Sequence, residues 1–166
     1  MGYFVTTQLV EKSLTRPANT DIYAIGDLIG TATSSSLAFT PVEHSTNENL
    51  GQVVYITGAT LRIDMSAVPG DMNAGFHLLM FNKAPTAVAD NATSALEVAK
   101  PYLRTVLAFP TPTDRGAFLF SELQGIKIAF PFLTTEVTMI GNIVTLSAFT
   151  PGSAAIFTVG LTLSKN

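Results

Sequence analysis

No charged residue occurs between Glu136 and Lys165, and the spacing of the apolar residues in that stretch decides what the chain can fold into. A membrane-spanning helix needs about 20 consecutive, predominantly apolar residues. Here Asn142, Thr145, Ser147, Thr150, Pro151, Gly152 and Ser153 interrupt every apolar run. From Phe157 the pattern alternates strictly: Phe157, Val159, Leu161 and Leu163 share one face, and Thr158, Gly160, Thr162 and Ser164 share the other. Period two is the signature of a strand with one buried face, so the stretch predicts sheet rather than membrane.

The same period recurs along the 166 residues. Between Gln52 and Met65 it places Ala59, Leu61, Ile63 and Met65 inward against Thr60, Arg62 and Asp64, with Gly58 as a bulge candidate. Val53 to Ile56 and Phe76 to Phe81 are apolar on both faces, which predicts cover on both sides; only His77 breaks the second run. Further strands are predicted at Phe4 to Val10, Leu37 to Val42, Tyr102 to Phe109, Gly116 to Phe120, Ile126 to Phe130, Val137 to Ile140 and Ile143 to Phe149. Turn residues separate them, and Gly141-Asn142 predicts a tight hairpin. A single helix is expected within Thr86 to Lys100, starting at Asn91 or Thr93, running through Val98 and ended by Pro101. Thr31 to Ser36 reads as a polar loop rather than a domain boundary. Many short strands with frequent Gly and Pro turns predict an all-β, antiparallel two-sheet β-sandwich, a jelly roll by preference and an immunoglobulin-like sandwich second. One domain, residues 1–166, is expected, with residues 1–14 as an extended arm or swapped edge strand.

Composition narrows the function classes. Charged residues make up 13% of the chain against about 25% in ordinary soluble domains, and apolar residues reach 47%. Neighbouring subunits are therefore expected to cover part of the surface. Nine basic against 12 acidic side chains, a net charge of −3, form no cationic track, so no nucleic-acid partner is expected. With no cysteine, thiolate chemistry and Cys-based zinc sites are impossible. Residues 1–14 lack the layout of a secretory signal, so the chain is expected to be intracellular when made. Met1 to Thr6 fits the myristoylation pattern, a short one that matches by chance.

Little in the sequence points to catalysis. His44 lies in the polar loop Glu43 to Asn49 and His77 in an apolar strand; either could serve as a general base, but they read as a solvated loop histidine and a hydrogen-bonded strand histidine. No nucleophile elbow, phosphate loop, dinucleotide fingerprint or zincin helix is present; Gly26-Asp27-Leu28-Ile29-Gly30 reads as a turn. Asp64, Asp71, Asp90, Asn91 and Asp114 sit in or near turns, where calcium ligands often arise, but as singletons they read as turn formers. No catalytic residue, cofactor or metal is expected. A carbohydrate-binding face is the main rival reading. With no tryptophan, four tyrosines and 11 phenylalanines, the aromatic inventory suits cores and protein contacts better than glycans. Phe118/Phe120 and Phe130/Phe132 are expected mostly in the core, with a minority of the rings at a subunit interface.

Particular strings resemble a known group. Arg16-Pro17-Ala18-Asn19-Thr20, followed by Tyr23-Ala24, Gly26-Asp27 and Ile29-Gly30, resembles the opening of small virion structural proteins of tailed bacteriophages. Ile56-Thr57-Gly58-Ala59 with Leu61-Arg62-Ile63-Asp64 resembles them too, as do Leu79, Phe81-Asn82, Pro85, Ala89-Asp90-Asn91 and Phe149-Thr150-Pro151 with Phe157-Thr158-Val159. Thr93 to Lys100 depart from that pattern. The resemblance implies a non-enzymatic capsid decoration or cement protein on the virion exterior, made in the bacterial cytoplasm, with itself, as a trimer, and the major capsid protein as partners. The alternative is a tail or baseplate module that binds a receptor or glycan. By the chain's own chemistry, Pro17 fixes a bend; Arg16 is structural or, as the other option, a partner contact.

Overall fold

Strict alternation yields the longest strands. The computed structural model describes residues 7–41, 52–65, 69, 71–73, 75–92 and 100–164. The predicted strand at Gln52 to Met65 is β4 (Val53–Asp64), and the alternating C-terminal segment is β11 (Ile156–Ser164). The other strands are β1 (Thr7–Thr15), β2 (Leu28–Ile29), β3 (Ser36–Phe39), β5 (Phe76–Phe81), β6 (Leu103–Phe109), β7 (Thr113–Asp114), β8 (Leu119–Leu123), β9 (Ile128–Pro131) and β10 (Met139–Thr145).

Among the described residues all pairings between strands are antiparallel, in two sheets. The first sheet runs β1-β11-β4-β8-β7, with β9 also on β4; the second runs β2-β10-β5-β6, with β3 also on β10. The topology is that of one long hairpin wound upon itself. Its innermost pair, β5 with β6, lies in the second sheet, and β4 with β8 and β9 lies in the first. β2 and β3 with β10 return to the second, and β1 with β11 closes in the first. That alternation of nested pairs between two sheets is the jelly roll. β1 takes Thr7 to Leu14 of the expected arm and pairs with β11 of its own chain; residues 1–6 lie outside the described residues.

The inner faces supply the core. Phe157, Val159, Leu161 and Leu163 are buried, as their parity predicts, and so are Ala59, Leu61 and Ile63. Phe76 meets Phe149 and Phe157 edge-on, each at 6.0 Å between ring centres, a favoured geometry for aromatic pairs. The register slips between Thr162 and Leu163, which oppose Gly58 and Ile56, so the bulge falls beside Gly58. On the outer face of the second sheet, Leu28, Phe81, Ile140 and Val144 form a separate buried cluster with Leu79, Val88, Tyr102 and Leu103 packed on it. Of the link from β5 to β6, Val88 and Tyr102 lie on this face, and its two ends are tied where Asn82 N donates to Tyr102 O at 3.1 Å. Phe76 to Phe81 is thus covered on both sides, whereas Val53 in the other two-sided run stays 40% exposed.

One turn expectation is overturned. Gly141-Asn142 is no hairpin: both residues lie inside the continuous strand β10. Gly141 does not have the positive φ a tight turn requires. A β-carbon on Gly141 would come within 3.0 Å of Leu78 Cδ1 and Phe39 Cε2; the glycine is there so that those side chains can cross the strand. Asn142 is buried and donates to Ser35 Oγ at 2.9 Å. The predicted helix core, residues 93–99, lies outside the described residues, and residues 100–102 make one tight turn into β6.

Candidate functional site

Arg16 follows β1 directly, and the chain bends there because Pro17 cannot continue the ladder. Its side chain has no exposure, so it is not a surface contact. Such a guanidinium is tolerated only if its donors are met, and all five N–H groups are used. Nε donates to Tyr23 Oη at 3.0 Å. Nη1 donates to the carbonyls of Asn19 at 2.6 Å and Gly152 at 2.9 Å. Nη2 donates to Asn19 Oδ1 at 2.7 Å and faces Asp90 Oδ2 at 3.5 Å. The Asp90 carboxylate, 4% exposed, also accepts from Tyr23 Oη at 2.5 Å and Gly30 N at 2.8 Å. Burial, and next the hydrogen bond to Asp90, hold the Tyr23 phenol well above its ordinary pKa of 10.0.

The strings that carry the sequence resemblance meet in this network: Arg16 to Asn19, Tyr23, Gly30, Asp90, and Phe149, whose ring stacks on Tyr23 at 5.2 Å. Together they fix the loop at residues 21–26. Tyr23 and Phe149 exchange backbone hydrogen bonds at 3.1 and 3.3 Å, and Gly26 N donates to Thr145 O at 3.0 Å. Thr145 Oγ1 donates to Ala24 O at 2.7 Å, and Ala24 N donates to Asp27 Oδ2 at 2.6 Å. Gly26, at φ +90°, takes a backbone conformation that side chains disfavour. On this anchored loop Ile22 is 66% and Ile25 71% exposed. Sequence reasoning missed both isoleucines; their one signal is that they flank a tyrosine in a turn segment outside any alternating run.

A second feature lies on the outer face of the first sheet. Register aligns Leu9 with Thr162, Glu11 with Gly160 and Thr60, and Ser13 with Thr158, Arg62 and Phe120. These residues and Phe118 line an open depression of about 640 Å³. Phe118 and Phe120, expected mostly in the core, are half-buried at its wall, edge-on at 6.3 Å, with the Arg62 guanidinium 5.6 Å from the Phe118 ring centre. Phe130 and Phe132 are buried. Ser13, Thr60, Thr158 and Thr162 put four hydroxyls on this face, beside the charged Glu11 and Arg62 and the apolar Leu9, Phe118 and Phe120.

The remaining candidates stay apart. His44 lies outside the described residues; His77 is half-buried on β5, opposite Val144 and Ala108. Asp114 accepts from Gly116 N at 2.7 Å as a turn former, whereas Asp71 accepts from Thr150 N at 2.9 Å, a tie between loops 79 residues apart. Asp64 is exposed at the end of β4, and Asn91 takes a left-handed φ of 57°. Among the described residues no three His, Cys, Asp or Glu side chains group as a metal site, and no helix is long and apolar enough to cross a membrane.

No protein-family model and no curated protein matches the sequence. Among solved structures, the chain is similar to the BFDV capsid protein, seen as a 60-mer, at 11% identity and a TM-score of 0.33, over 97% of this chain and 92% of that one.

Proposed function

We propose that this chain is a non-enzymatic structural protein of a bacteriophage virion, a decoration or cement protein that binds the capsid exterior as a trimer and contacts the major capsid protein. The resemblance of its strings to phage virion proteins supports the reading. The observation that carries it is the isoleucine pair on the anchored loop at residues 21–26. Burying an isoleucine side chain contributes about 1.5–3 kcal/mol, and a preorganised loop spares most of the ordering cost that binding otherwise incurs. Two such anchors make a weak single contact, given the entropy cost of association. Repetition across an ordered shell turns weak contacts into stable attachment through avidity.

The test is co-sedimentation of the full chain with native particles stripped of it, comparing wild type with the Ile22→Asp/Ile25→Asp double variant. Wild type is expected to rebind and the folded variant to lose at least tenfold in binding; equal binding by both, or no rebinding by wild type, refutes the proposal. Light scattering is expected to give three times the 17.6 kDa protomer mass, and a monomer at high concentration refutes the trimer. The second reading, a tail or baseplate module that binds a glycan, is favoured by the depression on the first sheet, and imaging of the native particle separates the two positions.

A further inference from the structure

We infer that the depression on the outer face of the first sheet is a binding site for a short oligosaccharide, free or at the end of a surface polysaccharide. It lies apart from the isoleucine loop and uses none of its residues. Its volume of about 640 Å³ falls in the range of small-molecule sites, about 300–1,000 Å³. The lining is what a polyhydroxylated ring requires. Ser13, Thr60, Thr158 and Thr162 each donate and accept, Arg62 only donates, and ionised Glu11 only accepts. Ser13 and Thr158 are already oriented by a mutual hydrogen bond of 2.8 Å. Leu9 and the two rings, Phe118 and Phe120, supply apolar patches against which the C–H faces of a sugar pack.

Other ligand classes fit less well. A phosphate would meet Glu11, and an apolar protein surface would strip water from the hydroxyls without replacing their hydrogen bonds. Gly160 sits between Glu11 and Thr60 in register, and a β-carbon there would come within 2.6 Å of Thr60 Oγ1. The glycine therefore lets the Thr60 hydroxyl take its place on the face. Sequence reasoning discounted a glycan face because there is no tryptophan and phenylalanine lacks a polar handle; it expected the few phenylalanines outside the core at a subunit interface, not beside a row of hydroxyls.

The experiment is saturation-transfer NMR on the full-length protein with a panel of soluble trisaccharides, neutral hexose and uronate-containing, followed by titration. At least one is expected to bind with a dissociation constant of about 1 mM or tighter, and Arg62→Ala and Thr158→Val each to weaken it at least fivefold. Both positions lie on the outer face, and thermal melts establish that the variants fold; Ser13→Ala stands in for either that does not. Ile22→Asp/Ile25→Asp is expected to bind sugar like wild type, so this result and the particle-binding result are independent. Absence of binding across the panel, or binding unmoved by the depression variants, overturns the inference.

Discussion

At the residue scale, the buried ion pair decides how costly a substitution is. Breaking a buried pair by removing one partner costs about 3–5 kcal/mol, because the other charge is left unpaired away from water. Arg16→Met is expected to lose that much in urea unfolding, and Arg16→Met/Asp90→Asn less than the sum of the single changes, since the two residues share one network. Tyr23 adds a pH dependence. Its folded-state pKa is raised above the ordinary 10.0, so its stabilisation is complete below pH 10 and fades as pH rises toward the folded value. Tyr23→Phe loses the hydrogen bonds to Arg16 and Asp90, about 1–3 kcal/mol at pH 8. The stability gap between wild type and this variant is expected to narrow in urea titrations from pH 10 to 11. A gap that stays constant would show that the phenol does not titrate differently on unfolding.

At the element scale, parity is legible in sequence, whereas pairing and cover are not. The face of β11, and that of β4 beyond Gly58, follow directly from alternation; before the bulge the buried positions of β4 are the even ones, Val54 and Ile56, and after it the odd ones, Ala59, Leu61 and Ile63. Gly141-Asn142 misleads, since the same dipeptide serves a turn or a close crossing of side chains, and only the neighbours Leu78 and Phe39 reveal which. β1 shows the opposite case. Lys12 shares the core-facing parity of Val10 and Leu14, yet it is exposed. Among the described residues β1 is the outermost strand of its sheet, where an inward-pointing charge blocks pairing with another sheet edge. Lys12→Val is expected to raise aggregation, measured by light scattering at increasing concentration, with little change in urea midpoint; unchanged aggregation would remove that role.

At the scale of the whole molecule, the sequence by itself determined the chemistry of the faces: strands rather than helices, two apolar inner faces, hydroxyl-rich exteriors, no thiol and no cationic track. Those properties are local, set by side-chain type and a spacing of two. Tertiary structure alone decided what lies beside what. Arg16 is separated from Asp90 by 74 residues and from Gly152 by 136, and only the winding of the jelly roll brings them together. The same winding leaves Ile22 and Ile25 outside while Tyr23 between them is buried, and lines up Ser13, Thr158 and Arg62 from three strands in one row. Strand order is set by long-range packing of surfaces that look alike in sequence, since any alternating strand presents the same apolar face to any other. A candidate site built from several strands is therefore readable only after the fold has chosen their neighbours.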